Sequence, residues 1–162
     1  MLTETKRRAG QLALIAGGVI VLDQLHKWYM LAMVGMAARP PIDVTSFFKL
    51  VMVWNTGVSF GMMKDAGQWM PYFLMTVAVA IALVLVRLGL KSSLRWERVG
   101  YAMVIGGALA NVIDRVRFGA VADFFYFHLG TFAWPAFNVA DAFICIGVAV
   151  LLGMMTFHPG KP

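Results

Sequence analysis
Asp23, Asp114, Asp123 and Asp141 lie inside or directly beside long apolar stretches of this 162-residue chain. A carboxylate in such surroundings costs a few kcal/mol to insert into a membrane and tends to be functional. Asp23 and Lys27 stand i,i+4 with the acid first, the favoured ion-pair order on a helix, and Arg115 follows Asp114. Each of these pairs suits mutual neutralisation at the interface and a role in a site equally well. Asp123 and Asp141 have no cation at helical spacing. Asn111 and Asn138 precede Asp114 and Asp141 by three residues, which sets each amide beside its carboxylate on a helix face.

Two close carboxylates without a cation suit acid–base work on water. One is ionised and removes a proton from water, while the other stays protonated and polarises a carbonyl, because mutual repulsion and burial raise one pKa. The same residues would also suit a small proton-coupled transport or channel component that uses membrane carboxylates as a relay. Against that alternative, Leu74 to Val86 and Phe143 to Met155 contain only Thr76 as a polar side chain, so the polar residues do not continue inward. A purely structural subunit is the third reading.

Other chemistries find less support. Gly57-Val58-Ser59-Phe60-Gly61 matches G-x-S-x-G, but that motif needs a strand-to-helix elbow with Asp and His partners. His26 falls in the first apolar stretch, His128 in an aromatic loop and His158 near the C-terminal end. No H-E-x-x-H, Cys/His cluster or Gly-rich loop ending in Lys is present, so neither cofactor nor metal is expected. Cys145 is the one cysteine and is expected to pack as a small hydrophobe.

The elements that must hold these residues are membrane helices. Hydrophobic residues make up 60% of the chain and charged residues 14%, too apolar for a soluble domain of this size. Uncharged stretches run over Ala9–Leu22, Ala66–Val86, Val99–Ile113 and Ala142–Gly160. Since a helix needs about 20 residues to cross the hydrocarbon core, they predict spans over roughly 10–31, 68–87, 97–116 and 137–157 of a single integral domain. Lys6, Arg7 and Arg8 precede the first span, and Arg87, Lys91, Arg95 and Arg98 fill the middle link. The positive-inside rule then puts both termini in the cytoplasm. The net charge of +6 reads as topology, not as nucleic-acid binding. Lys6-Arg7-Arg8 and the apolar run after it also suit a cleavable signal peptide, but Asp23, Gln24, His26 and Lys27 interrupt the pattern.

The outer region 40–66 contains a strand, Phe48 to Trp54, followed by the turn chemistry of Asn55-Thr56-Gly57. In the outer loop 117–136, Phe124–Phe127 and Phe132–Trp134 predict a short hairpin around Gly130. The fold class is therefore a mainly α membrane protein, a four-transmembrane-helix bundle with a small antiparallel β-sheet on its outer, periplasmic face. At ~1.5 Å per residue, Asp23 lies roughly 22 Å above Arg8, Asp114 about 24 Å above Arg98, and Asp141 about 25 Å above His158. Asp123 follows soon enough to fold back to that level, near the outer edge of a ~30 Å core.

Several blocks in order resemble the bacterial lipoprotein signal peptidase (signal peptidase II) family. They are Asp23-Gln-Leu-His-Lys27, Asn55-Thr-Gly57-Val-Ser-Phe60, Gly106 through Asn111 to Asp114-Arg115, Gly119 through Asp123-Phe124, and Pro135 through Asn138 to Asp141. The resemblance implies an aspartic endopeptidase of the inner membrane that cuts diacylglyceryl-modified prolipoproteins just before the lipidated cysteine. It implies a catalytic pair at Asp123 and Asp141, supported by Asn111, Asp114, Arg115 and Asn138. Asp23, Lys27, Asn55 and Gly57 would shape the site and contact substrate. It further implies sensitivity to globomycin-type cyclic peptides; the chain itself is expected to be a monomer in contact with membrane lipid.

Overall fold
The computed structural model describes residues 2–57 and 69–157. Ser59, Phe60, His158 and the last part of the 40–66 region lie outside the described residues. Four helices are long and apolar enough to cross a membrane: α1 (Leu2–Trp28), α2 (Met70–Lys91), α3 (Arg95–Phe118) and α4 (Val139–Phe157). α1 begins well before position 10, because Glu4 pairs with Arg7 at 2.9 Å and with Arg8 at 3.2 Å and so supports helix ahead of the apolar run. It runs on through a π-helical turn, Tyr29–Met33, and stops at Gly35, whose φ of 72° breaks the helix.

α3 is the central helix and packs against α1, α2 and α4. Between helices in lipid, close contact replaces the hydrophobic effect, so small residues decide where helices cross. A Cβ on Gly106 would come within 2.7 Å of the Ala16 carbonyl of α1, and one on Gly107 within 2.5 Å of the Ala140 carbonyl of α4. The adjacent glycines thus open α3 towards two different neighbours. Deeper in the bundle Gly100 and Gly147 meet reciprocally, each leaving room for the other's carbonyl. Elsewhere α2 and α4 expose large aliphatic residues such as Leu83 and Leu152, the surface expected of lipid-facing helices. Cys145 is exposed on α4 and so, contrary to expectation, does not pack inside the protein.

Four short strands form one antiparallel sheet in the order β1 (Ile42–Asp43), β2 (Phe48–Asn55), β3 (Val121–Leu129), β4 (Phe132–Ala133). β3 starts earlier than the aromatic pattern predicts, includes Asp123 and His128, and pairs with both β2 and β4, so the hairpin at Gly130 is continuous with the main sheet. Gly119, at φ 73°, caps α3 and lets the chain enter β3 almost at once. Met30, Met36, Ala122 and Phe124 form a small core between the end of α1 and the sheet, with Ile42, Leu50 and Met52 packed against it.

Candidate active site
Asp123 stands on β3 opposite Val53 of β2, and Asn55 lies two residues further along β2 on the same face. The Asn55 amide donates to Asp123 Oδ2 at 3.1 Å, while its carbonyl oxygen accepts the Gly57 N–H at 3.2 Å. That turn holds the amide towards Asp123. On the other side, the Phe125–Phe137 bridge draws the segment before α4 onto β3. It delivers Asn138, whose amide donates to Asp123 Oδ1 at 2.7 Å.

Asn138 is also the cap of α4. Its side-chain oxygen accepts the Asp141 N–H at 3.0 Å, and Asp141 Oδ2 accepts the Asn138 N–H at 3.2 Å. This reciprocal pair is a capping box with Asp in the third position, and it holds Asp141 in one orientation at a helix N-terminus, where negative charge is favoured. Asp141 Oδ1 accepts the Asn111 amide at 2.8 Å, and Asn111 Oδ1 accepts from Asn138 at 3.2 Å and from Lys27 at 3.4 Å. Asp123 and Asp141 are therefore joined through two asparagines. Asn111 shares a face with Asp114 but bonds across to Asp141 instead, because α4 brings an acceptor closer.

Asp23 and Lys27 form the expected ion pair, at 2.8 Å. Asp114 does not pair with Arg115, one of the two readings its spacing left open: among the described residues its cation is Lys27, at 2.7 Å. Successive helix residues point in different directions, so Arg115 cannot turn back to its neighbour. Arg115 instead donates to the Gly57 carbonyl at 3.4 Å, and its buried Nε has no hydrogen-bond partner among the described residues. Gln24, not among the residues expected from sequence, donates to Asp114 Oδ1 at 2.8 Å and accepts from Arg117 at 3.1 Å. The signal for it was present: an amide side chain next to Asp23 in an otherwise apolar helix.

A cavity of about 200 Å³ opens beside these groups, lined by Asn55, Gly57, Leu74, Asn111, Arg115, Val121 and Asp141. Burial, reinforced by the Asp141 charge, pushes the Asp123 carboxyl up to about 7, against the opposing pull of the Asn55 and Asn138 hydrogen bonds and the Lys27 charge. A carboxyl in that range can keep a proton at neutral pH beside an ionised partner, the condition for acid–base work on water. Among the described residues, no group of three or more His, Cys, Asp or Glu side chains converges in a way that would hold a metal ion.

Comparison with known proteins adds to this geometry. A family profile described as signal peptidase (SPase) II matches residues 15–157. A lipoprotein signal peptidase from Neisseria meningitidis serogroup C (strain 053442) is 42% identical over 160 residues, covering 97% of this chain and 95% of that one. One from Azoarcus sp. (strain BH72) is 43% identical over 141 residues, covering 85% and 78%. A solved bacterial membrane enzyme, determined by the in meso method at 2.3 Å resolution, superposes with a TM-score of 0.77 at 26% identity, covering 94% of this chain and 93% of that one.

Proposed function
The chain belongs to the signal peptidase II family, and from that premise we propose that it is an aspartic endopeptidase with Asp123 and Asp141 as its catalytic pair. It is a multi-pass membrane protease that removes signal peptides from lipoprotein precursors. The single observation that supports the catalytic assignment is the pair's setting. Both carboxylates are held by neutral amides, Asp141 lines a cavity and Asp123 is bonded to Asn55, which lines it too, and no cation is bonded to either carboxylate among the described residues.

In this reading the pair shares one proton. The ionised carboxylate takes a proton from water, and the resulting hydroxide attacks the scissile carbonyl, whose oxygen is polarised by the protonated partner. When the tetrahedral intermediate collapses, the C–N bond breaks and the amine of the lipidated cysteine leaves with a proton from the pair. Asn55, Asn111 and Asn138 keep both carboxylates in place, and Arg115 and Gly57 border the cavity where the substrate chain lies.

Orientation follows from the basic ends. Arg8 donates to the carbonyls of Leu90 and Lys91, which gathers the N-terminal and middle-link cations at the end of the bundle opposite Asp141. We place that end in the cytoplasm and the carboxylates near the outer face of the inner membrane. A precursor anchored by its acyl chains and signal helix then presents its scissile bond at about their level. The transport reading gains nothing from the structure. Thr76, the polar side chain of the inner α2 and α4 segments, donates to the Tyr72 carbonyl of its own helix.

The test is cleavage of a diacylglyceryl-cysteine precursor peptide by the purified protein, as a monomer in detergent, with and without chelator. Cleavage before the modified cysteine, unaffected by chelator and blocked by a globomycin-type peptide, is the expected result. Cleavage that stops with chelator would replace the aspartic mechanism with a metal-dependent one.

A further inference from the structure
We propose, on the reading that Asp123 and Asp141 do the chemistry, that Asp23, Lys27 and Asp114 are one positioning unit in which a single lysine sets the placement of the two catalytic aspartates relative to each other. Asp23 Oδ1 accepts the N–H of Ala140, the residue before Asp141, at 2.9 Å. Asp114 Oδ2 accepts the N–H of Ala122, the residue before Asp123, at 3.1 Å. Lys27 Nζ lies 2.8 Å from Asp23 and 2.7 Å from Asp114. The path from one catalytic backbone to the other thus runs Ala140, Asp23, Lys27, Asp114, Ala122, and no member is more than 2% exposed.

Three features make this a positioning device. First, it joins four elements, α4, α1, α3 and β3. Second, Lys27 is saturated: an ammonium has three donors, and Asp23, Asp114 and Asn111 Oδ1 are three acceptors within 3.4 Å. In so dry a setting each charged bond is stiff. Third, no member of the triad lines the cavity, whereas Asp141 does and Asp123 is bonded directly to the cavity-lining Asn55. Gln24 belongs to the unit, since its bond to Asp114 Oδ1 leaves Oδ2 for Lys27 and Ala122.

The experiment is steady-state cleavage of the lipidated peptide by the full-length protein, with thermal unfolding followed in parallel. Asp23→Asn and Asp114→Asn keep an oxygen to accept the backbone N–H but lose the charge. Since a displacement of about 1 Å can cost on the order of 10²-fold in rate, each is expected to lower kcat by about tenfold or more, with KM within about twofold. The double variant is expected to lose little beyond the worse single, as residues acting as a unit do. A raised KM with unchanged kcat, multiplicative losses, or wild-type turnover would each overturn the proposal. If the Asn variants do not fold, Gln24→Ala decides, because its side chain is partly exposed: a fall in kcat at constant KM supports the unit, and unchanged kcat overturns it. Asp123→Asn and Asp141→Asn run alongside. If these still cleave, the catalytic reading itself fails. If they are inert while the Asp23, Asp114 and Gln24 variants behave as wild type, only the positioning unit fails.

Discussion
The pair of aspartates that shares Lys27 is built differently from the pair that shares Asn138, although all four lie in one polar layer. Asp23 and Asp114 face an ammonium at 2.8 and 2.7 Å and have 0% exposure. Asp123 and Asp141 face amide donors from Asn55, Asn111 and Asn138, and Asp141 lines a cavity with Asn55 and Asn111. An ammonium neutralises a carboxylate, which then serves as a fixed acceptor for backbone N–H groups. An amide only orients one and leaves its proton free to come and go. Residue type and depth are the same in both pairs, so on the proposed catalytic reading the partner is what separates a structural role from a chemical one.

The strongest way to break this contrast is to remove charge from each pair in turn. Asp123→Asn or Asp141→Asn is expected to lower kcat by at least the ~10²–10⁴-fold associated with general acid–base groups, while the thermal midpoint stays close to wild type. Lys27→Met should do the opposite first. It leaves two buried carboxylates uncompensated, and breaking a buried pair from one side costs about 3–5 kcal/mol, read as a lowered unfolding midpoint. If Lys27→Met left stability intact, the two pairs would not differ as described.

A smaller effect separates the pairs by pH. With its folded value raised from 3.8 to about 7, Asp123 binds its proton more tightly in the folded protein than in the unfolded chain. Its contribution to stability is fully present below pH 3.8 and is lost as pH rises through about 7. Unfolding measured from pH 4 to 8 should show that slope in the wild type and a weaker one in Asp123→Asn, and cleavage should decline on the alkaline side of about 7. An unchanged slope in Asp123→Asn would remove Asp123 as the titrating group. Smallest of all, Cys145→Ser and Ser59→Ala should keep wild-type turnover. Loss of cleavage in a folded Ser59→Ala protein would revive a serine nucleophile at G-x-S-x-G.

Much of the helical frame was legible because apolar runs bounded by basic clusters leave little freedom, and because 1.5 Å of rise per residue converts sequence distance into depth. That reasoning brought Asp23, Asp114 and Asp141 to one level without any contact being known. It could not say which cation Asp114 would meet. Helical spacing specifies neighbours on one helix, whereas Lys27 reaches Asp114 from α1 across a packed interface. The strand at Val121–Asp123 was hidden for a related reason, since its pairing partner is β2, far away in the chain.

By itself, then, the sequence determined the membrane frame, the level of the carboxylates and the family that their order resembles, because these depend on composition and local periodicity. Only the tertiary structure decided how the polar residues are shared out. Gly106 and Gly107 let α1 and α4 close on α3, the Phe125–Phe137 bridge brings Asn138 to Asp123, and Lys27 is drawn between Asp23 and Asp114. Ion pairs and hydrogen bonds act over about 3 Å, so which partner each side chain meets depends on helix crossings and strand register, not on spacing along the chain.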